Sequence, residues 1–143
     1  GLRSPLVGWA LRSHRLGSAW KWGSAEMSAL PEVNAGATAR LTITLTDYAG
    51  TSVPLASLST LTLSVYDEDT DTACNGIDGT NIKNANGGTI TDGGGYVDIA
   101  AATNAMVSTT AEVETHVALV KFTTTGGLAG NDSLRFNVRR VRS

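Results

Sequence analysis

The densest group of potential cation ligands is an acidic cluster in the middle of the chain: Asp67, Glu68, Asp69 and Asp71. Its three aspartates have the alternate spacing that opens a calcium-binding loop, in which successive carboxylates coordinate the ion. Such a loop needs glycine at its sixth position and a bidentate glutamate at its twelfth, where this chain has Thr72 and Asp78. The pattern therefore favours a solvated acidic turn, with weak calcium binding as the alternative.

The histidine, the cysteine and one pair of glutamates in the body of the chain are the other candidates for chemistry. His116 lies on the apolar face of the strongest strand pattern, so a core-edge histidine bonded to a neighbour is favoured over a catalytic base. Cys74 has no basic neighbour that would lower its pKa and is interpreted as a packed thiol. Glu112 and Glu114 would need a third acid across a cleft to cleave a glycoside, so a solvated edge is expected.

The composition indicates one β-rich domain without catalytic machinery. The chain has 143 residues, of which 17% are charged against a usual ~25%. A single cysteine excludes an intrachain disulfide, which favours synthesis inside a cell. The glycine-rich segments lack the Lys-Ser/Thr of a phosphate-binding loop and predict turns. We therefore expect no enzyme, no catalytic residue, no metal ligand and no cofactor.

Alternation of apolar and polar residues predicts the strands that must position these groups. The period is two in residues 38–47 and 59–67. Segment 114–125 is apolar on both faces, which predicts a central strand, whereas 134–141 alternates apolar residues with arginines. Residues 100–113 have a weak helical tendency and predict a single turn or an irregular crossover. The prediction is an all-β fold, a single antiparallel immunoglobulin-like β-sandwich with an extended N-terminal arm.

Charge and aromatic content separate the arm from the sandwich. Residues 33–131 carry ten carboxylates and three basic residues, whereas residues 1–26 carry four basic residues, no acid before residue 26, and all three tryptophans. We therefore predict an arm at 1–32 and a sandwich at 33–143. Met27 opens a stretch that is typical of a natural start, so the residues before it are expected to be an arm, a leader remnant or added sequence.

Both basic ends are candidates for binding a partner. The arginines of the last strand fit an edge strand protected by charge and, equally, a docking edge for an acidic protein surface. Stacking aromatics are missing among them except for an inward Phe136, and no apolar run reaches 18 residues, so neither nucleic acid nor membrane is expected as a partner. The arm is too apolar for a free tail and should bury against this domain or a neighbouring subunit. The predicted partner-binding residues are Trp9, Trp20, Trp22, Arg135, Arg139, Arg140 and Arg142.

Several segments together resemble small structural proteins of tailed bacteriophages. The most distinctive is the histidine-containing strand Glu114–Thr123, ETHVALVKFT. LTLSVYD at 61–67 and the D-x-x-G turn Asp47–Gly50 fit the same pattern, and Thr42–Asp67 also resembles an immunoglobulin-like module of phage baseplate proteins. The resemblance covers residues 34–141. It implies a compact β-sandwich encoded among head and tail genes, and it supplies no catalytic residues.

The resemblance implies a non-enzymatic virion protein that is made in the host cytoplasm and acts within the virion. A capsid decoration or head-associated protein that binds the coat surface is the leading expectation, with capsid or other virion proteins as partners in a homo-oligomer or symmetric assembly. A tail, neck or baseplate component or a host-surface adhesin has the same fold and stays open. A carbohydrate-binding module is the alternative of another class, although it would need exposed tryptophans on the sandwich itself.

Overall fold

The computed structural model describes residues 24–28 and 32–141, and its regular elements are strands apart from two single 3₁₀ turns. No helix in the described part of the chain is long and apolar enough to cross a membrane. The strands are β1 (Ser24–Ser28), β2 (Glu32–Asn34), β3 (Ala39–Thr46), β4 (Leu58–Asp67), β5 (Thr80–Asn81), β6 (Gly88–Thr91), β7 (Gly94–Ile99), β8 (Val113–Thr124) and β9 (Ala129–Arg139).

The strands form two sheets whose order is that of an immunoglobulin-like sandwich. One sheet has the order β1-β3-β7-β6 and the other β2-β9-β8-β4-β5. In immunoglobulin notation these orders correspond to A-B-E-D and to A′-G-F-C-C′. The predicted fold class is therefore confirmed. The second sheet is mixed rather than purely antiparallel, because β2 pairs with β9 in parallel.

The core lies between the sheets and is built from the alternation seen in the sequence. On β3, the inward residues Leu41, Ile43 and Leu45 are almost fully buried, and the threonines between them lie outside the core. On β8 the inward face includes Phe122, and Val117 on the opposite face is also buried. β8 lies between β9 and β4, which confirms the prediction of a central strand.

The sandwich begins earlier in the chain than the sequence predicted. β1 pairs antiparallel with β3, so Ala25 lies opposite Leu45 and Met27 opposite Ile43. Ala25 and Met27 are both buried in the core. Residues that were assigned to the arm are thus part of a sheet, and a domain that started at Met27 would lack half of β1. The described sandwich includes residues from Ser24 onward.

The crossover, residues 100–112, joins β7 to β8 without regular structure, as predicted. It is anchored to its surroundings by polar contacts. Asn104 is fully buried and its side-chain amide donates to the carbonyl oxygen of Ala37 at 2.8 Å. Arg140 donates from Nε and Nη2 to the carbonyl oxygens of Ala111 and Ser108, each at 2.8 Å. These contacts hold the crossover over one end of the sandwich.

Candidate functional site

Strand pairing brings together the polar residues at the end of the sandwich where β4 stops and β8 starts. Asp67, the last residue of β4, lies opposite His116 of β8. Glu114 is two residues before His116, so the alternation of a strand places both side chains on the same inward face. Cys74, in the turn after β4, packs against His116. We call Asp67, Cys74, Glu114 and His116 the buried cluster.

The side chains of the buried cluster are in close contact. Nε2 of His116 lies 2.5 Å from Oε2 of Glu114, and the sulfur of Cys74 lies 3.6 Å from Nδ1 and 3.8 Å from Nε2. Asp67, Glu114 and His116 each place a ligand atom within 4.8 Å of the other two. The ring of Phe136 closes the far side in an edge-to-face contact with the imidazole. The cluster is therefore a polar site in the protein interior.

The crossover supplies the donors that hold Glu114 as a carboxylate. Its two oxygens accept the backbone N–H groups of Val107 at 2.8 Å and Ser108 at 2.9 Å. Burial alone would raise the pKa of Glu114, but these two donors and His116 outweigh it and leave the pKa below its ordinary value. Asp67 accepts from the backbone N–H and the hydroxyl of Thr70 at 3.0 and 2.7 Å.

Cys74 is a buried free thiol, which confirms the interpretation of a packed thiol. Burial, together with the negative charges of Asp67 and Glu114, raises its pKa to about 11. The thiol therefore stays protonated at neutral pH and is a poor nucleophile.

Three predictions about these groups are corrected by the structure. His116 bonds to a neighbour as predicted, but it is fully buried rather than at the core edge. Glu114 was predicted on a solvated edge and is only 6% exposed, whereas Glu112 is exposed. Asp67 was assigned to a solvated turn and is 3% exposed, because its carboxylate folds inward to cap that turn. Residues 114 and 116 are two apart and therefore lie on the same face of a strand. This spacing was the signal in the sequence that could have indicated that Glu114 is buried beside His116.

A surface cavity of about 410 Å³ adjoins the cluster. Asp67 and Glu114 line it together with the exposed turn residues Asp69 and Thr70 and with residues 107–109 and 111 of the crossover. The two carboxylates thus border both the protein interior and a cavity with exposed residues on its wall. Small ions and water can approach the cluster by this route.

The arginines predicted to bind a partner are engaged within the chain. Arg135 forms an ion pair with Glu68, and Arg139 donates to both carboxylate oxygens of Glu32 at 3.0 Å. Arg140 instead anchors the crossover. The last strand is not a free edge along its whole length, because β2 pairs with its residues 137–139. The other predicted partner-binding residues, Trp9, Trp20, Trp22 and Arg142, lie outside the described residues.

Comparison with known proteins adds one distant structural likeness. No family model matches the chain, and no curated protein matches it. Among solved structures, the chain is similar to a cohesin module of a family 33 glycoside hydrolase from Clostridium perfringens, with a TM-score of 0.37 and 10% sequence identity. The likeness covers 85% of this chain and 99% of the cohesin module. It is too low to indicate a function.

Proposed function

We propose that this chain is a non-enzymatic virion structural protein whose sandwich is attached to its neighbours by the N-terminal segment, residues 1–23. The observation that carries the proposal is where this segment joins the fold. Residues 1–23 hold all three tryptophans, four basic residues and no acid. They enter the sandwich at Ser24, the first residue of β1, which is an edge strand of its sheet.

A segment that enters through an edge strand is well placed to bind a second subunit. It joins β1 at the sheet margin, where Ser24 lies opposite Thr46 at the end of β3. Buried tryptophans at an interface are typical anchors, with contributions of ~2 kcal/mol or more each. Basic residues between them favour an acidic partner surface and faster association. Many copies on a symmetric particle would add avidity.

The exposed arginines of β9 have a secondary part in this proposal. Arg135 and Arg139 are compensated by Glu68 and Glu32, so they offer little net charge to an approaching surface. Exposed pairs of this kind contribute little, because solvent screens them, and charges at the rim of an interface mainly affect the rate of association. The N-terminal segment is therefore the primary binding element.

Within the virion, we propose a capsid decoration or head-associated role. The support is the resemblance of residues 34–141 to small structural proteins of tailed bacteriophages, together with a sandwich surface that is poor in charge. The partner would be the coat protein, which presents the same acidic surface many times on one particle. A location in the tail or baseplate is the outcome to be distinguished by experiment.

The test is co-sedimentation with purified empty capsids and with isolated tails. The full chain is compared with residues 24–143, because a cut after residue 26 would remove Ala25 from the core. A second comparison replaces Trp9, Trp20 and Trp22 by alanine, with Arg135→Gln as the control. We expect the full chain to bind capsids saturably. Removal of residues 1–23 and replacement of the three tryptophans should each weaken this binding at least tenfold, whereas Arg135→Gln should leave it nearly unchanged. Equal binding of the full chain and residues 24–143 would overturn the role of the segment, and binding to neither particle would overturn the virion assignment.

A further inference from the structure

We propose that Asp67, Glu114 and His116 bind a zinc ion, with Cys74 as the fourth ligand. The sequence did not indicate this set of ligands, because Asp67 is far from Glu114 and His116 along the chain. Pairing of β4 with β8 brings them together. The four side chains offer two oxygens, one nitrogen and one sulfur, all of which are donors that zinc accepts.

The distances require only small movements of the side chains. Ligand atoms around a tetrahedral zinc are separated by roughly 3.4 Å when the bonds are about 2.1 Å long. The three side chains that define the site already have ligand atoms within 4.8 Å of one another. The sulfur of Cys74 lies 3.8 Å from Nε2 of His116. The hydrogen bond from His116 to Glu114 must open by about 1 Å as the metal replaces the shared proton.

The charge of the cluster favours a divalent cation. Asp67 and Glu114 are two carboxylates, both more than nine-tenths buried, and only His116 among the cluster's groups can carry a compensating positive charge. Within the described residues, neither carboxylate forms an ion pair or a hydrogen bond with lysine or arginine. The nearby Arg140 uses its guanidinium for carbonyl oxygens of the crossover instead. Since two buried carboxylates this close repel each other, a bound dication would stabilise this end of the sandwich.

The donor set selects zinc over the common alkaline-earth ions. Calcium and magnesium prefer six or more oxygen ligands or retained water, and an imidazole and a thiol do not suit them. The adjoining cavity of about 410 Å³ gives an ion access to Asp67 and Glu114. A zinc held here would join β4, β8 and the turn that carries Cys74, which makes the site a structural cross-link.

The test uses the full chain after treatment with a chelator, with ZnCl₂ and CoCl₂ as probes. We expect one zinc per chain by calorimetry, a higher melting temperature with zinc, and an absorption band of thiolate-to-cobalt charge transfer. Asp67→Asn should weaken zinc binding at least tenfold, while the neighbouring exposed Asp69→Asn leaves it unchanged. Cys74→Ser should abolish the charge-transfer band and keep the cobalt d–d bands.

Binding by the unmodified protein decides the matter even if a variant fails to fold. A folded full chain that binds no zinc would overturn the site, as would equally tight calcium binding. Zinc binding that Asp67→Asn leaves intact in a folded variant would place the ion elsewhere, for example at His14, and would also overturn it. Loss of the N-terminal segment should not change zinc affinity, so the failure of the zinc site and the failure of the proposed function are distinguishable.

Discussion

Replacement of Glu114 by glutamine tests whether the buried cluster holds the crossover onto the sandwich. Glutamine has nearly the same shape as glutamate but no charge, and its NH₂ group replaces one of the two accepting oxygens. In the native chain, those oxygens accept from Val107, Ser108 and His116. The NH₂ group of glutamine must therefore face at least one N–H group that donates to Glu114 in the native chain. The hydrogen bonds that remain are to a neutral acceptor instead of a charged one.

The expected loss follows from the number of bonds that depend on this charge. Hydrogen bonds to a charged group contribute about 1.5–3 kcal/mol each, and the carboxylate of Glu114 accepts from three partners. One oxygen of glutamine can still accept, which offsets part of the loss. We expect Glu114→Gln to lower the free energy of unfolding by ~3 kcal/mol at neutral pH, out of the 5–15 kcal/mol typical of a domain.

The pH dependence gives a second, independent signature. The folded protein holds the pKa of Glu114 below its ordinary value of 4.5. Near that value the unfolded state binds more protons than the native state, so stability rises with pH. The contribution of Glu114 is fully present above pH 4.5 and is lost as the pH falls through the lowered native value. Glutamine cannot titrate, so the difference between the two proteins should shrink in acid.

The assay is urea unfolding at neutral pH and at about pH 3.5, with a chelator present so that no metal contributes. Glu112→Gln is the matched control, because Glu112 lies two residues before Glu114 and its side chain is exposed. Its effect on the free energy of unfolding should stay within about 0.5 kcal/mol. A loss below about 1 kcal/mol for Glu114→Gln would contradict the role of this carboxylate in holding the crossover. So would a difference that does not change with pH.

Three further predictions concern other parts of the sandwich. Raising the pH from 9 toward 11 should lower stability by roughly 3 kcal/mol at most through Cys74, because the unfolded thiol loses its proton first. Urea unfolding of Cys74→Ala should lack that component. Gly88→Ala should lower the free energy of unfolding in urea by more than about 2 kcal/mol, since its Cβ would lie 1.8 Å from the carbonyl oxygen of Ile82. Gly127→Ala is the control. Its Cβ would meet no atom within 4 Å, and the positive φ alone should cost about 1 kcal/mol. Arg140→Ala should speed hydrogen exchange at the amides of the crossover, and unchanged protection there would contradict its role as an anchor.

The strands that were predicted from the sequence are those whose side chains repeat with a clear period. β3 alternates leucine and isoleucine with threonine, and β8 has apolar residues on both faces because it lies in the middle of its sheet. β1 was not predicted because residues 24–28, SAEMS, contain only two apolar residues. In addition, Met27 was interpreted as a natural start, which placed the residues before it outside the domain. The parallel pairing of β2 with β9 involves three residues, which is too short for a recognisable pattern.

The buried cluster was only partly accessible to sequence analysis for a different reason. The inward orientation of Glu114 follows from its parity with His116 and could have been predicted. Its burial could not, because the donors that make a buried carboxylate tolerable come from backbone groups of an irregular crossover. Likewise, the inward turn of Asp67 depends on a local bond to Thr70 rather than on any repeating pattern.

Tryptophan fluorescence tests whether binding to the particle buries the N-terminal segment, because all three tryptophans precede Ser24 and the rest of the chain has none. The emission of the full chain therefore reports on the N-terminal segment alone. When capsids are added, we predict that the emission shifts to shorter wavelength and becomes protected from acrylamide quenching, with saturation at a fixed number of chains per particle. Saturable binding to the particle with unchanged emission and quenching would contradict the proposed role of the N-terminal segment, because the chain would then bind without burying its tryptophans.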